Sequence, residues 1–338
     1  MKKWLFVLLL PVILLGCTEP PKQVYVTGPT MGTTYNIKYI APEEMSTSSK
    51  DIHTEIDRLL EEVNDQMSTY RVNSELSLFN QYKSDEPFKV SKDTAFVVKE
   101  AIRLNGLTKG ALDVTVGPLV NLWGFGPDAK PEIIPSAESI SLARQATGIE
   151  HIKVDGNLLV KTLPKLYVDL SPIAKGWGVD VIANYLEMIG IDNYLVEVGG
   201  EIRLKGVNSE GAKWRIAIEK PVIDERSVQL IIAPGDMAIA TSGDYRNYFE
   251  QDGVRYSHII NPQTGKPINH KVVSITVLSE TSMEADGLAT GLMVLGHKAA
   301  LDVAEANDIA IFIIEKTDEG FAEYSSSHFK PYLKQTKN

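Results

Sequence analysis

The stretch EADGLATGLMVLG, Glu284 to Gly296, constrains the fold more than any other part of this chain. Leu288, Leu292, Met293 and Leu295 make it read as a buried helix, yet Asp286 and Thr290 fall one turn apart on one face of it. A carboxylate among apolar side chains needs a partner or a metal ion. The fold must bury this helix and still answer that carboxylate.

Around the helix, the hydrophobic pattern mixes two periods. Asp51 to Met67 is the clearest amphipathic helix, with Ile52, Ile56, Leu59, Leu60 and Val63 at helical spacing. Ser91 is expected to cap a second helix, and Ser136 or Ser139 to open a short one. Val24 to Ile40 reads as strand broken at Gly28-Pro29, and residues 127–136 as a proline-rich surface connection. Further on the chain is strand-rich, with strands expected at 151–154, 158–161, 166–170, 193–198, 201–205, 214–219, 228–232, 237–241, 256–260, 272–278 and 309–314. Long helices at 173–189 and 283–306, the second broken at Gly296, interrupt them. Short turns between such elements predict an α+β fold, mixed sheets with flanking helices in two lobes, rather than a regular parallel α/β fold.

The start of the chain points to export. Lys2-Lys3 precede an apolar run from Trp4 to Leu15, and Leu14-Leu15-Gly16-Cys17 follows. The run is a short secretory signal, and its end resembles the bacterial lipoprotein processing box. That resemblance implies cleavage after residue 16, lipidation of Cys17, and a tether over residues 17–23 ahead of one catalytic domain at 24–338. Cys17 is the chain's single cysteine, so no disulfide, thiol nucleophile or thiolate metal site remains. With 44 acidic against 34 basic residues, the net charge of −10 argues against a nucleic-acid partner and a polybasic membrane footprint.

No GxGxxG or GxxxxGK[ST] phosphate loop is present, and no HExxH or GxSxG motif. His53, His151, His270, His297 and His328 show no metal-ligand spacing. Several segments nevertheless carry more Gly, Asp, Ser and aromatic residues than packing needs. They are Met31–Tyr35, Met67–Arg71 with Ser74–Ser77, Gly110–Pro118, Val168–Gly176, Glu197–Glu201, Thr241–Arg246 and Ser257–Pro262. Each alone has a structural reading. Asp169-Leu170-Ser171-Pro172 suits a helix start with Ser171 as cap, and Gly199-Gly200 suits a turn between strands.

Together these segments resemble the flavin transferase family, the FAD:protein FMN transferases or ApbE lipoproteins, from about Met31 to Gly296. Ser-Thr-Tyr-Arg, Gly-Ala-Leu-Asp-Val-Thr-Val-Gly-Pro, Asp-Leu-Ser-Pro-Ile-Ala-Lys-Gly and Ser-His-Ile-Ile-Asn-Pro carry the resemblance. It implies one catalytic unit with a flavin cleft between the lobes. It also implies Mg²⁺-dependent transfer of FMN from FAD to a Thr or Ser hydroxyl of an acceptor protein, with release of AMP. Acceptors would be exported or periplasm-facing proteins, such as subunits of redox-driven ion pumps. The enzyme would be lipid-anchored on the periplasmic side, the inner membrane being favoured.

By position, Met31, Tyr70, Ala111, Leu112, Asp113, Asp169, Lys175 and Ile260 match the family's flavin-nucleotide contacts. The Pro172 carbonyl, Asp286 and Thr290 match its Mg²⁺ ligands, all hard oxygens. Some family members carry an acid just before the Thr; here Ala289 stands there. From the residues themselves, Arg246 offers a cation for phosphate. His258 is the candidate general base, because histidine titrates near neutral pH, and Asp244 is the second. Two other readings use the same residues: an FAD pyrophosphatase with water as acceptor, and a non-enzymatic flavin-carrying lipoprotein.

Overall fold

The computed structural model describes residues 22–127, 134–221, 228–243, 248–251 and 254–333. Cys17, the signal segment, Asp244, Arg246 and most of the connection at 127–136 lie outside the described residues.

The chain opens with strands β1 (Gln23–Thr30) and β2 (Thr33–Ile40), helices α1 (Ser49–Met67) and α2 (Glu75–Gln81), and strand β3 (Phe88–Lys89). Helices α3 (Lys92–Leu107), α4 (Gly117–Leu122) and α5 (Ala137–Arg144) follow, then strands β4 (Ile152–Asp155) and β5 (Leu158–Lys161) and helix α6 (Ser171–Met188). Next come β6 (Tyr194–Val198), β7 (Glu201–Lys205), β8 (Ile216–Glu219), β9 (Val228–Ile232) and β10 (Ala238–Gly243). They lead to β11 (Tyr248–Gln251), β12 (Val254–Ser257), β13 (Ile260–Asn261), β14 (Lys266–Pro267) and β15 (Val272–Ser279). The last elements are α7 (Ser282–Leu295), α8 (His297–Ala306), β16 (Ala310–Thr317), β17 (Gly320–Ser325) and α9 (Lys330–Leu333).

An eight-stranded sheet in the order β1-β2-β6-β7-β10-β15-β16-β17 forms the centre, and each neighbouring pair in it is antiparallel. On one face, Ile52, Ile56 and Leu60 of α1 and Val179, Ile182 and Leu186 of α6 bury Ile37 and Val196. Beside them α3, α7 and α8 bury Ile275, Val277, Ile311 and Ile313. The opposite face packs on Ile216, Ile218 and Ile232 of the β8–β9 hairpin and on Phe329. Covered on both sides, β15 reads as a nearly continuous buried run, Val-Val-Ser-Ile-Thr-Val-Leu. The α+β expectation therefore holds. The buried helix is α7, which packs against α6, α3, β10 and β15.

The structure departs from the pattern reading where local chemistry overrides periodicity. The break expected at Gly28-Pro29 falls instead at Met31-Gly32. Both of those residues have positive φ, 47° and 70°, as a two-residue hairpin turn demands. Gly28 stays in the strand because the Tyr35 ring lies over it, 2.7 Å from where a Cβ would stand. Residues 166–170, expected as a strand, belong to none. Their backbone is held instead by Asn80, whose side chain accepts from Val168 N–H and donates to Val168 C=O, both at 2.8 Å. Ser171 is not the cap of α6. Leu170 occupies that position, and Ser171 donates its N–H (3.0 Å) and hydroxyl (2.6 Å) to Asp169 Oδ1. The strand expected at 256–260 breaks at residues 258–259, so His258 sits between β12 and β13.

One buried cation lies away from these segments. Lys161, 1% exposed, donates to the Phe79 carbonyl at 2.9 Å and pairs with no carboxylate among the described residues. Burial, with Lys83 nearby, pushes its ammonium down to about 8. An unfolded chain with an ordinary lysine then binds more protons than the folded one between about 8 and 10.5. Stability rises with pH across that window and carries the full penalty below it. In urea titrations, the stability of the wild type relative to Lys161→Met is expected to rise by roughly 2–3 kcal/mol from neutral pH to pH ~10. A flat difference would refute this.

Candidate functional site

A cleft of about 680 Å³ opens where the β6–β7 turn, β10, the first turn of α6 and the middle of α7 meet. The loop after α3, the segment around Phe125, the β8 strand and the His258–Pro262 stretch complete its walls. The elements meet closely because of Gly176. A Cβ there would stand 2.3 Å from the Ser282 carbonyl oxygen, so only glycine lets α6 and the start of α7 touch. The β6–β7 turn is the tight kind: Gly199 and Gly200 both have positive φ, 58° and 102°.

That contact sets the floor. The buried Asp286 accepts the Gly176 N–H at 3.0 Å on one oxygen. Its other oxygen faces Lys175 Nζ at 3.6 Å. Lys175 also pairs with Glu201 at the start of β7. Burial alone would push Lys175 down, but Asp286 and Glu201 outweigh it and hold the ammonium above its usual range. Burial pushes Asp286 up, against the pull of Lys175 and with a further push from Glu201. One ammonium thus faces two carboxylates and cannot fully answer both. The Thr290 hydroxyl, one turn along α7, pairs with Ser242 of β10 at 3.2 Å.

Of the residues singled out from sequence, Tyr70, Ala111, Leu112, Asp113, Asp169, Pro172, Lys175, His258, Ile260, Asp286 and Thr290 all line this cleft. Asp113 is fixed by Thr115, which donates its N–H (2.8 Å) and hydroxyl (2.7 Å). Tyr70 stands on the lip, 67% exposed. The His258 and Phe125 rings meet in a T-shaped arrangement, with centroids 6.3 Å apart. Met31 is the exception: it is not part of the cleft lining, and its methyl packs where a Cβ of Gly178 would be, between two core clusters.

Glu201, Ser242 and Phe125 also line the cleft, beyond the candidate residues of the sequence. Glu201 was within reach, since it follows the glycine pair in a segment already notable. Ser242 likewise lies in the Thr241–Arg246 segment, whereas Phe125 has no sequence signal of its own.

No three His, Cys, Asp or Glu side chains converge as a metal site among the described residues. A dication that needs a full protein cage does not suit this floor, but Mg²⁺ does. It takes one or two carboxylates and fills its octahedron with waters and phosphate oxygens. The donors here are hard oxygens: the Asp286 carboxylate, the Thr290 hydroxyl and the Pro172 carbonyl. The N–H that would ordinarily bond Pro172 C=O in the helix is that of Gly176, which Asp286 engages. Glu201 Oε2 is buried with no hydrogen-bond partner among the described residues, so the floor has room for a further positive charge.

The family model for ApbE matches residues 31–313. A Vibrio cholerae protein named FAD:protein FMN transferase is 66% identical over 333 residues, covering 98% of this chain and 99% of its own length. Its Haemophilus influenzae counterpart of the same name is 52% identical, covering 96% and 95%. The solved flavin transferase ApbE from Vibrio cholerae superposes with a TM-score of 0.88 at 67% identity, over 93% of this chain and 100% of that one.

Proposed function

The chain belongs to the ApbE family, and from that premise we propose that it is an FAD:protein FMN transferase. The observation that carries this reading is the cleft floor. Lys175, Asp286 and Thr290 stand together on one wall of a cleft that also holds Asp113, Asp169 and His258.

In this reading, Tyr70, Ala111, Leu112 and Ile260 form the apolar slot for the flavin, and Asp113 and Asp169 meet its polar edges. Lys175 faces the diphosphate. Asp286, Thr290 and the Pro172 carbonyl would hold Mg²⁺, which when bound neutralises charge on the diphosphate and on the departing AMP. An acceptor Thr or Ser hydroxyl attacks the FMN phosphorus. Its oxygen forms the new phosphoester, its proton passes to His258, and the P–O bond to AMP breaks. AMP leaves with the bridging oxygen. His258 lies off the regular strands, on the cleft, its ring in a T-shaped contact with Phe125. A group so placed can take a proton without leaving its seat.

The N-terminal segment fits an enzyme lipidated at Cys17 and held on the periplasmic side, where exported acceptors fold. Among the described residues, no helix is long and apolar enough to cross a membrane.

The test is to incubate the protein with FAD, Mg²⁺ and a candidate acceptor. Flavin fluorescence on the acceptor band of a denaturing gel, with AMP released, supports the proposal. Free FMN with AMP would mean a pyrophosphatase, and bound FAD without AMP a carrier. His258→Ala is expected to lower the transfer rate about 10²–10⁴-fold while FAD affinity stays within about threefold. Unchanged turnover would remove His258 from the mechanism.

A further inference from the structure

Glu201 is used by neither the flavin contacts nor the cation ligands above. Yet it lies on the cleft wall, is 4% exposed, and pairs with Lys175 through one oxygen. Its other oxygen is buried and has no hydrogen-bond partner among the described residues. A buried carboxylate half-satisfied in this way costs stability, so its place at the floor calls for a reason.

Charge supplies one. With its groups ionised, the floor holds one ammonium and two carboxylates, Lys175 against Glu201 and Asp286. A dinucleotide's diphosphate brings two more negative charges to the same spot. It would meet a lysine already paired on both sides and a floor of its own sign. A dication reverses the sign of the floor, and only then does the diphosphate find net attraction. If Glu201 were neutral, the floor without a cation would be neutral too, and Lys175 would be free to turn toward phosphate. In a partly buried site such unit charges are poorly screened. We infer that Glu201 makes binding of the diphosphate donor conditional on a divalent cation. This rests on the flavin-donor reading of the same cleft. Glu201 is thus a positioning and ordering residue: it keeps Lys175 engaged until the cation arrives, so the donor does not bind first in an unproductive way.

The test measures FAD affinity by flavin fluorescence on the intact protein, with Mg²⁺ and with EDTA. The ratio of the two dissociation constants is the coupling factor, and couplings of this kind commonly run from about 5- to 150-fold. In Glu201→Gln, the affinity in EDTA is expected to rise at least about tenfold and the Mg²⁺ value to change less than about threefold, so the coupling collapses. Glu201→Asp, which keeps the charge, should retain most of the coupling. If the Gln variant does not fold, Glu201→Met, which keeps the length of the side chain without its charge, carries the same test with the same expected collapse of the coupling. An unchanged coupling in Glu201→Gln, or equal weakening in both conditions, overturns the inference. Wild-type FAD binding indifferent to Mg²⁺ overturns the cation-assisted donor reading itself and the inference with it.

Discussion

Asp286→Asn is expected to cut FMN transfer by about 10²–10³-fold while leaving the protein folded. The substitution keeps the shape of the side chain and one oxygen that can accept the Gly176 N–H, now made at 3.0 Å. It removes the charge that faces Lys175 at 3.6 Å and that would anchor the dication. Of the three proposed cation ligands, Asp286 alone is charged; Thr290 and the Pro172 carbonyl offer dipoles. A divalent ion held by dipoles and waters alone binds weakly, so raising Mg²⁺ should rescue part of the loss. Binding of Mn²⁺ followed by electron paramagnetic resonance should weaken at least about tenfold, a readout independent of turnover. Transfer within fivefold of wild type at all Mg²⁺ concentrations would exclude Asp286 from the reaction.

Legibility from sequence followed the range of the physics involved. The α1 stripe, the Ser91 cap, a serine opening of α5 at Ser136 or Ser139 (Ser136 in the structure) and the Gly296 break between α7 and α8 all emerged, because each is a local preference repeated or punctuated within a few residues. Residues 166–170 misled, since an apolar run looks the same whether its backbone pairs with a strand or with the Asn80 side chain. The strand β17 escaped notice for the opposite reason. Its sequence, Gly-Phe-Ala-Glu-Tyr-Ser, lies at the sheet edge and is only half-buried, so it carries little hydrophobic signal. The site shows the same division. Asp286 and Thr290 could be paired from helical geometry alone, and Lys175 came with a recognisable segment. That Lys175 bridges Asp286 and Glu201 depends on Gly176 admitting the Ser282 backbone at van der Waals range, a contact between residues more than a hundred positions apart. No periodicity encodes such a contact. Met31 makes the β1–β2 turn with its backbone, and its side chain packs in the core rather than on the cleft lining, a placement that position in the sequence alone does not reveal.

The same α6–α7 contact exposes the largest stability prediction. Asp180, two α6 turns from Ser171 and buried, accepts the N–H groups of Ser282 (3.0 Å) and Met283 (2.8 Å) at the start of α7. Burial pushes its carboxyl up, and those two N–H groups, with Arg203 of β7 at 3.1 Å, offset only part of that rise. One carboxylate therefore satisfies two otherwise orphaned helix donors and a largely buried guanidinium. Asp180→Ala leaves all three short of a partner, although Arg203 keeps Asn184 and Glu187. Breaking a buried pair in this way costs about 3–5 kcal/mol, a fall in Tm of roughly 4–7 °C for a chain of this size. Asp180→Asn, which keeps one acceptor oxygen, should lose about half as much. Both are read by thermal and urea unfolding followed by circular dichroism. Because Asp286 lies one turn along the helix that Asp180 anchors, the Ala variant should also weaken Mn²⁺ binding at temperatures where it remains folded. A loss below about 1 kcal/mol would mean that Thr281, which caps α7 by accepting the Glu284 N–H at 3.3 Å, holds the helix start by itself.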